Sequence, residues 1–282
     1  MLRLTSITAI VRTIDPRLRT HQFHLAVAVS GALVVIAVEV ERLGSIAEAL
    51  GPAAKAGLTI FLAWAIAREI DPDQARTANL AAILAVAGWL LSGPDNLAAL
   101  FMLLLATRIT LRSTGLKPTL LDGLVFLPVA AFWAGRTVAG WMAALTLAYA
   151  LARDHRLPDP ASTRNLVAAF LSSTTAAGGV ILSGGFGSGW ADSGPLPLAL
   201  MAAGIIAGLA LPGYVPTSKT DYTGEILDFF RLRSARRTLL GGATLTVLAA
   251  GGAGVAGLSA IWAVLVAATL TARNLVPTFG PA

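Results

Sequence analysis

Two stretches of this 282-residue chain carry, at matching spacing, residue types that can do chemistry. The first closes an apolar run with Ala67-Arg68-Glu69, turns through Asp71-Pro72-Asp73 and opens the next run at Asn79-Leu80. The second closes a run with Ala152-Arg153-Asp154, turns through Pro158-Asp159 and reopens at Asn165-Leu166. Between them lie Arg108, Arg112 and Lys117, followed by Asp122. Asp71 and Asp73 offer hard carboxylate oxygens, the ligands of a Mg²⁺ that keeps several waters and bridges to a substrate phosphate. Arg108, Arg112 and Lys117 are suited to clamp such a phosphate, arginine in a bidentate fork. The candidate binding set is therefore Arg68, Glu69, Asp71, Asp73, Arg108, Arg112, Asp122, Arg153 and Asp154, with Asp71 and Asp73 as the candidate metal pair.

A plainer reading accounts for the same residues. Arginine at a helix C-terminus meets the negative end of the helix dipole, and aspartate ahead of a helix caps its free N–H groups. Arg108 and Asp122 are the most informative, because both fall at the edge of apolar runs. An ionisable group there is costly and faces a partner or a wet cavity, so an ion pair across their shared turn is expected. The long aspartate-rich motif of the intramembrane prenyltransferases is absent, as is the glycine-and-aspartate signature of the CDP-alcohol phosphotransferases. The chain has no cysteine, which excludes disulfides, thiolate metal sites and cysteine nucleophiles. His21 and His24, at the start of the first apolar run, read as interfacial packing. Gly184 to Trp190 is glycine-rich but lacks the Gly-Lys-Ser/Thr ending of a phosphate-binding loop.

The elements that must position these turns are membrane helices. Hydrophobic residues make up 56% of the chain and charged residues 13%, where soluble domains carry about 25% charged residues. The expected fold is an all-α integral membrane protein of about ten transmembrane helices, over 24–40, 53–70, 78–91, 96–111, 119–134, 137–151, 165–182 and 196–211, with two more at the end. The 34 residues from Leu239 to Ala272 contain no charge. A single helix of that length would extend about 50 Å, against a hydrocarbon core of about 30 Å. A turn near Gly251–Gly257 divides it. Residues 1–20 are expected to form a basic interfacial segment ahead of one transmembrane domain, 21–282, and the break at Asp15-Pro16 does not suit a signal peptide. Within 214–237, Phe229, Phe230 and Leu232 interleave with Arg231, Arg233, Arg236 and Arg237. This segment is expected to lie as a basic amphipathic helix on an anionic leaflet. The run Ser172 to Thr175 suits close helix contact.

With the N-terminus inside, eighteen of the 21 lysines and arginines fall on the inner side, leaving only Arg42, Lys55 and Arg136 outside. The positive-inside rule favours that orientation, and an even number of spans keeps Arg273 inside. Both termini are thus expected on the cytoplasmic side of the cell membrane. The span number, length and termini resemble the drug/metabolite transporter superfamily in topology alone. The internal echo relates spans two and six, whereas an inverted five-plus-five repeat relates two and seven. The expected function is transport of small molecules or lipid-like substrates. The alternatives are a membrane enzyme acting on lipid-phosphate or polyprenyl substrates at the cytoplasmic leaflet, with Mg²⁺ as its cofactor, and a non-catalytic assembly partner. The expected surroundings are a bilayer with anionic lipids, not nucleic acid, with a homo-oligomer left open.

Overall fold

The computed structural model describes residues 19–119, 122, 137–160, 163–182 and 193–272. The interfacial segment at 1–18, the body of the fifth span, the Gly184–Trp190 loop, Arg136 and Arg273 lie outside the described residues. The described chain is helical: α1 Arg19–Leu43, α2 Ile46–Ile70, α3 Ala75–Ser92, α4 Leu97–Leu111, α5 Val138–Asp154, α6 Arg164–Leu182, α7 Pro195–Ala210, α8 Phe229–Ala250, the short α9 Gly252–Ala256 and α10 Ser259–Ala272. It contains no strand, only an isolated antiparallel bridge between Lys219 and Ile226. Side-chain caps fix several starts. Asn96 Oδ1 accepts from the Ala99 amide at 3.0 Å, Thr137 Oγ1 from Gly140 at 3.2 Å and Asp228 Oδ1 from Arg231 at 2.8 Å. Each satisfies a helix donor that has no partner within its own helix.

Three of the described helices are long and apolar enough to cross a membrane: the Gln22–Leu43 part of α1, α2 and α3. Their outer faces keep large apolar side chains exposed, among them Val29, Leu33, Ile83 and Leu90. Such a surface is a liability in water and the expected one against lipid. The inner faces are rich in alanine, as at Ala63, Ala67, Ala81, Ala82 and Ala85, which lets helix backbones approach closely. In α6, Ser173, Thr174 and Thr175 return their hydroxyls to carbonyls of their own helix.

The shorter apolar helices α4, α7 and α10 contain 15, 16 and 14 residues. At 1.5 Å per residue they reach only about 21–24 Å. α10 has no need to match the lipid, because protein surrounds it: α2, α3 and α7 all pack on it, and Ile261, Trp262, Val264 and Leu265 are fully buried. The contact with α7 depends on Gly204, where an added Cβ would stand 2.9 Å from the Cα of Trp262. The long uncharged stretch divides where expected, at Gly251, whose φ of +61° suits glycine.

One expectation is corrected. The basic residues of 214–237 do not form a separate helix lying on a surface. α8 starts at Phe229 and continues unbroken to Ala250, so its arginines occupy the first turns of a helix that enters the bundle. The preceding loop folds back over the bundle end, donating from the Asp221 and Tyr222 amides to the carbonyls of Ser113 and Thr114, both at 3.1 Å. Arg231 is buried rather than solvated, because a carboxylate waits for it there.

Candidate functional site

The turns assigned to the inner side meet at one end of the bundle, with α4 at their centre. The last turn of α4 presents Arg108 and, at the position that ends the helix, Arg112. Each copy of the repeated Arg–acid pair sends its acid to one of them. Arg108 Nε donates to Glu69 Oε1 at 2.8 Å. Arg112 grips Asp154 with two bonds, Nε to Oδ1 at 3.0 Å and Nη2 to Oδ2 at 2.7 Å. Arg112 holds this position in the left-handed region, with φ +56°, an uncommon conformation for a side chain of its size. The internal echo of the sequence is thus a pair of clamps on one helix end.

Asp154 carries a second cation. Arg231 Nη1 donates to its Oδ1 at 2.7 Å and to the Thr110 carbonyl at 3.2 Å, while Nη2 meets the Pro158 carbonyl. Asp154 is 1% exposed and its two partners 7% and 5%, so one buried acid faces two buried guanidiniums. Asp159, at the surface, takes Arg112 Nη1 at 3.3 Å and Lys117. The Lys117 bond and charge hold the Asp159 carboxyl below the usual range.

Asp71 ties a different set of elements together. Its Oδ2 accepts from Thr77 at 2.5 Å and its Oδ1 from the Tyr214 hydroxyl at 2.8 Å. Arg236 of α8 lies 4.0 Å from the same Oδ1, stacks 4.9 Å over the Tyr214 ring and donates to the carbonyls of Ile70 and Pro212, both at 2.7 Å. Burial raises the Asp71 pKa despite the bonds from Thr77 and Tyr214. Asp73 behaves oppositely: burial is outweighed by the amides of Ser218 and Thr217, at 2.7 and 2.8 Å, and its pKa is lowered. All four oxygens of the candidate metal pair therefore meet protein donors. No group of three or more His, Asp or Glu arranged to hold a metal occurs among the described residues.

The remaining candidates are placed as follows. Arg68 donates to the Pro72 carbonyl at 3.2 Å, and Arg153 Nε to Ser234 Oγ at 3.2 Å. Asp122, expected opposite Arg108, is buried and accepts from the amide and hydroxyl of Thr119 at 2.8 and 3.0 Å. His24 lies stacked on Trp64, ring centres 3.7 Å apart. Tyr214, Arg231 and Arg236 were not singled out from the sequence as site residues. The available signal was an aromatic and several arginines in one polar segment, which also describes a surface helix.

Two hollows open beside this network. The larger, about 480 Å³, lies between α7 and α8, with Tyr214, Arg233, Arg236 and Arg237 on one side and Leu209, Leu211, Leu232 and Leu240 on the other. The smaller, about 250 Å³, is lined by Arg153, Arg156, Leu157, Pro158, Phe230, Arg233, Ser234 and Arg237. Neither lining contains a carboxylate or a histidine among the described residues. No known protein family, curated protein or solved structure matches the chain.

Proposed function

We propose that this chain is a ten-span protein of the cell membrane, both termini cytoplasmic, that transports an anionic, lipid-like substrate taken up at the inner leaflet through the hollow between α7 and α8. The observation that carries this reading is the lining: guanidiniums on one side suit an anionic head, and leucines on the other suit an apolar tail. Leu209, exposed on α7, puts the hollow beside the lipid-facing surface. The wall offers charge to hold an anion but no carboxylate or histidine among the described residues to move a proton or bind a metal, which favours carriage over phosphoryl chemistry. The acids of the turns are engaged in holding helices together.

Purified protein in liposomes containing acyl-labelled fluorescent phosphatidylglycerol tests the reading by leaflet-selective quenching. Protein-dependent translocation is expected. Arg233→Gln is expected to slow it roughly tenfold, the scale of one charge-assisted bond, and Leu209→Trp to slow it by obstructing the hollow. Absence of protein-dependent translocation, or rates unchanged in both variants, would overturn the proposal.

A further inference from the structure

Independently of transport, we propose that the smaller hollow, between the α5–α6 turn and the basic start of α8, is a binding site for a phosphate group, either a lipid phosphodiester headgroup or a free phosphate anion. Four arginines converge on it, and no carboxylate lines it among the described residues. Orientation alone asks for bases at this end of the bundle. It does not ask that four of them share one concavity.

The neighbouring arginines make the contrast. Arg112 and Arg231 share Asp154, and Arg108 has Glu69. Among the described residues, Arg156, Arg233 and Arg237 have no ion pair, and Arg153 is held by the neutral Ser234 hydroxyl. Arg233 and Arg237 stand one turn apart on α8, a spacing at which like charges repel. An anion between them and Arg153 and Arg156 removes that repulsion. Guanidinium forks match phosphate oxygens in pairs, and basic recesses between membrane helices on the cytoplasmic side are suited to lipid headgroups. The volume, about 250 Å³, exceeds several times the roughly 30 Å³ of a water in the liquid. Phe230, 61% exposed, with Leu157 and Pro158, gives the recess an apolar lip where acyl chains would leave it.

Arg233 and Arg237 line both hollows, whereas Arg153 and Arg156 line only this one and Leu209 only the other. The experiment uses that difference. Full-length protein is melted in phosphatidylcholine nanodiscs, in nanodiscs with a rising fraction of phosphatidylglycerol, and in phosphatidylcholine nanodiscs with added inorganic phosphate. The wild type is expected to gain stability with phosphate. In Arg156→Gln, an exposed position that leaves the fold intact, the half-saturating fraction or concentration is expected to rise roughly tenfold, and Arg153→Gln should act similarly. Leu209→Trp should leave unchanged the part of the shift that Arg153→Gln and Arg156→Gln weaken, which separates failure of this site from failure of the transport reading. A shift with phosphatidylglycerol alone identifies a headgroup, and one with inorganic phosphate a free anion; both support the site. No shift in either arm, or a shift of undiminished affinity in Arg153→Gln and Arg156→Gln, would overturn it.

Discussion

Replacing Asp154 by Asn is the most severe single perturbation this structure predicts. The side chain keeps its size but loses the charge that two buried guanidiniums share through three bonds of 2.7–3.0 Å. Breaking a buried ion pair from one side costs about 3–5 kcal/mol, because the partner charges stay behind. For a chain of this size each kcal/mol lowers the melting temperature by about 2–4 °C, so Asp154→Asn should melt roughly 6–20 °C below the wild type in the same nanodisc. Removing the whole cluster tests the cause. Asp154→Leu with Arg112→Met and Arg231→Met leaves no unpaired charge and should recover most of the loss, since apolar replacement of a complete buried ionic cluster is often neutral or better. An Asp154→Asn protein that melts with the wild type, or a triple variant worse than the single, would refute the reasoning.

Asp71→Asn with Asp73→Asn loosens the contacts of the α2–α3 turn with Tyr214, Thr217 and Ser218; it should lower stability by about 1–3 kcal/mol while the protein still inserts and purifies, and native melting would show the turn to be dispensable. Asp95 accepts from Ser259 Oγ at 3.0 Å and from the Ala260 amide at the start of α10, and burial pushes its pKa up to about 7. A folded pKa above the unfolded one means the folded state binds the proton more readily, so stability rises on acidification between about pH 7 and the ordinary carboxylate range. From pH 8 to 5.5 the gain is about 2 kcal/mol, measurable by melting; Asp95→Asn should abolish this component, and an unaltered pH profile in that variant would contradict it. Single cysteines at Glu41 and Thr223, both exposed, should label from opposite sides of a sealed membrane, and labelling from one side would defeat the proposed topology.

Several helix boundaries were legible because they rest on local signals: the echoed turns, the caps at Asn96 and Thr137 and the glycine at 251 fall where expected spans begin or end, whereas α8 starts at Phe229, ahead of the expected Leu239. The partners of the charges were not. Arg231 and Arg233 are the same residue type two positions apart, yet one is buried against Asp154 and the other exposed. A helix turn of about 200° between them decides which is which, and only the tertiary position of α5 tells which face meets a carboxylate. The same ambiguity made the start of α8 read as a surface helix. The echo also concealed its use, since only folding brings Glu69 and Asp154 to the same end of α4. For Asp71 and Asp73 the sequence admitted a metal or a cap, and it could not reveal the Tyr214 hydroxyl and the two loop amides that take up their oxygens.

α10, packed among α2, α3 and α7, is also the last described helix to leave the ribosome. α2, α3 and α7, which wall α10, are synthesised before their shared partner exists. Until α10 arrives, Gly204 faces no Trp262 and the carboxylate of Asp95 has no helix start to hold. Assembly of this part of the core is thus a late event, completed after most of the chain has been made. A chain that stops short of residue 259 would lack the helix that α2, α3 and α7 share and would leave the alanine-lined faces of α2 and α3 uncovered.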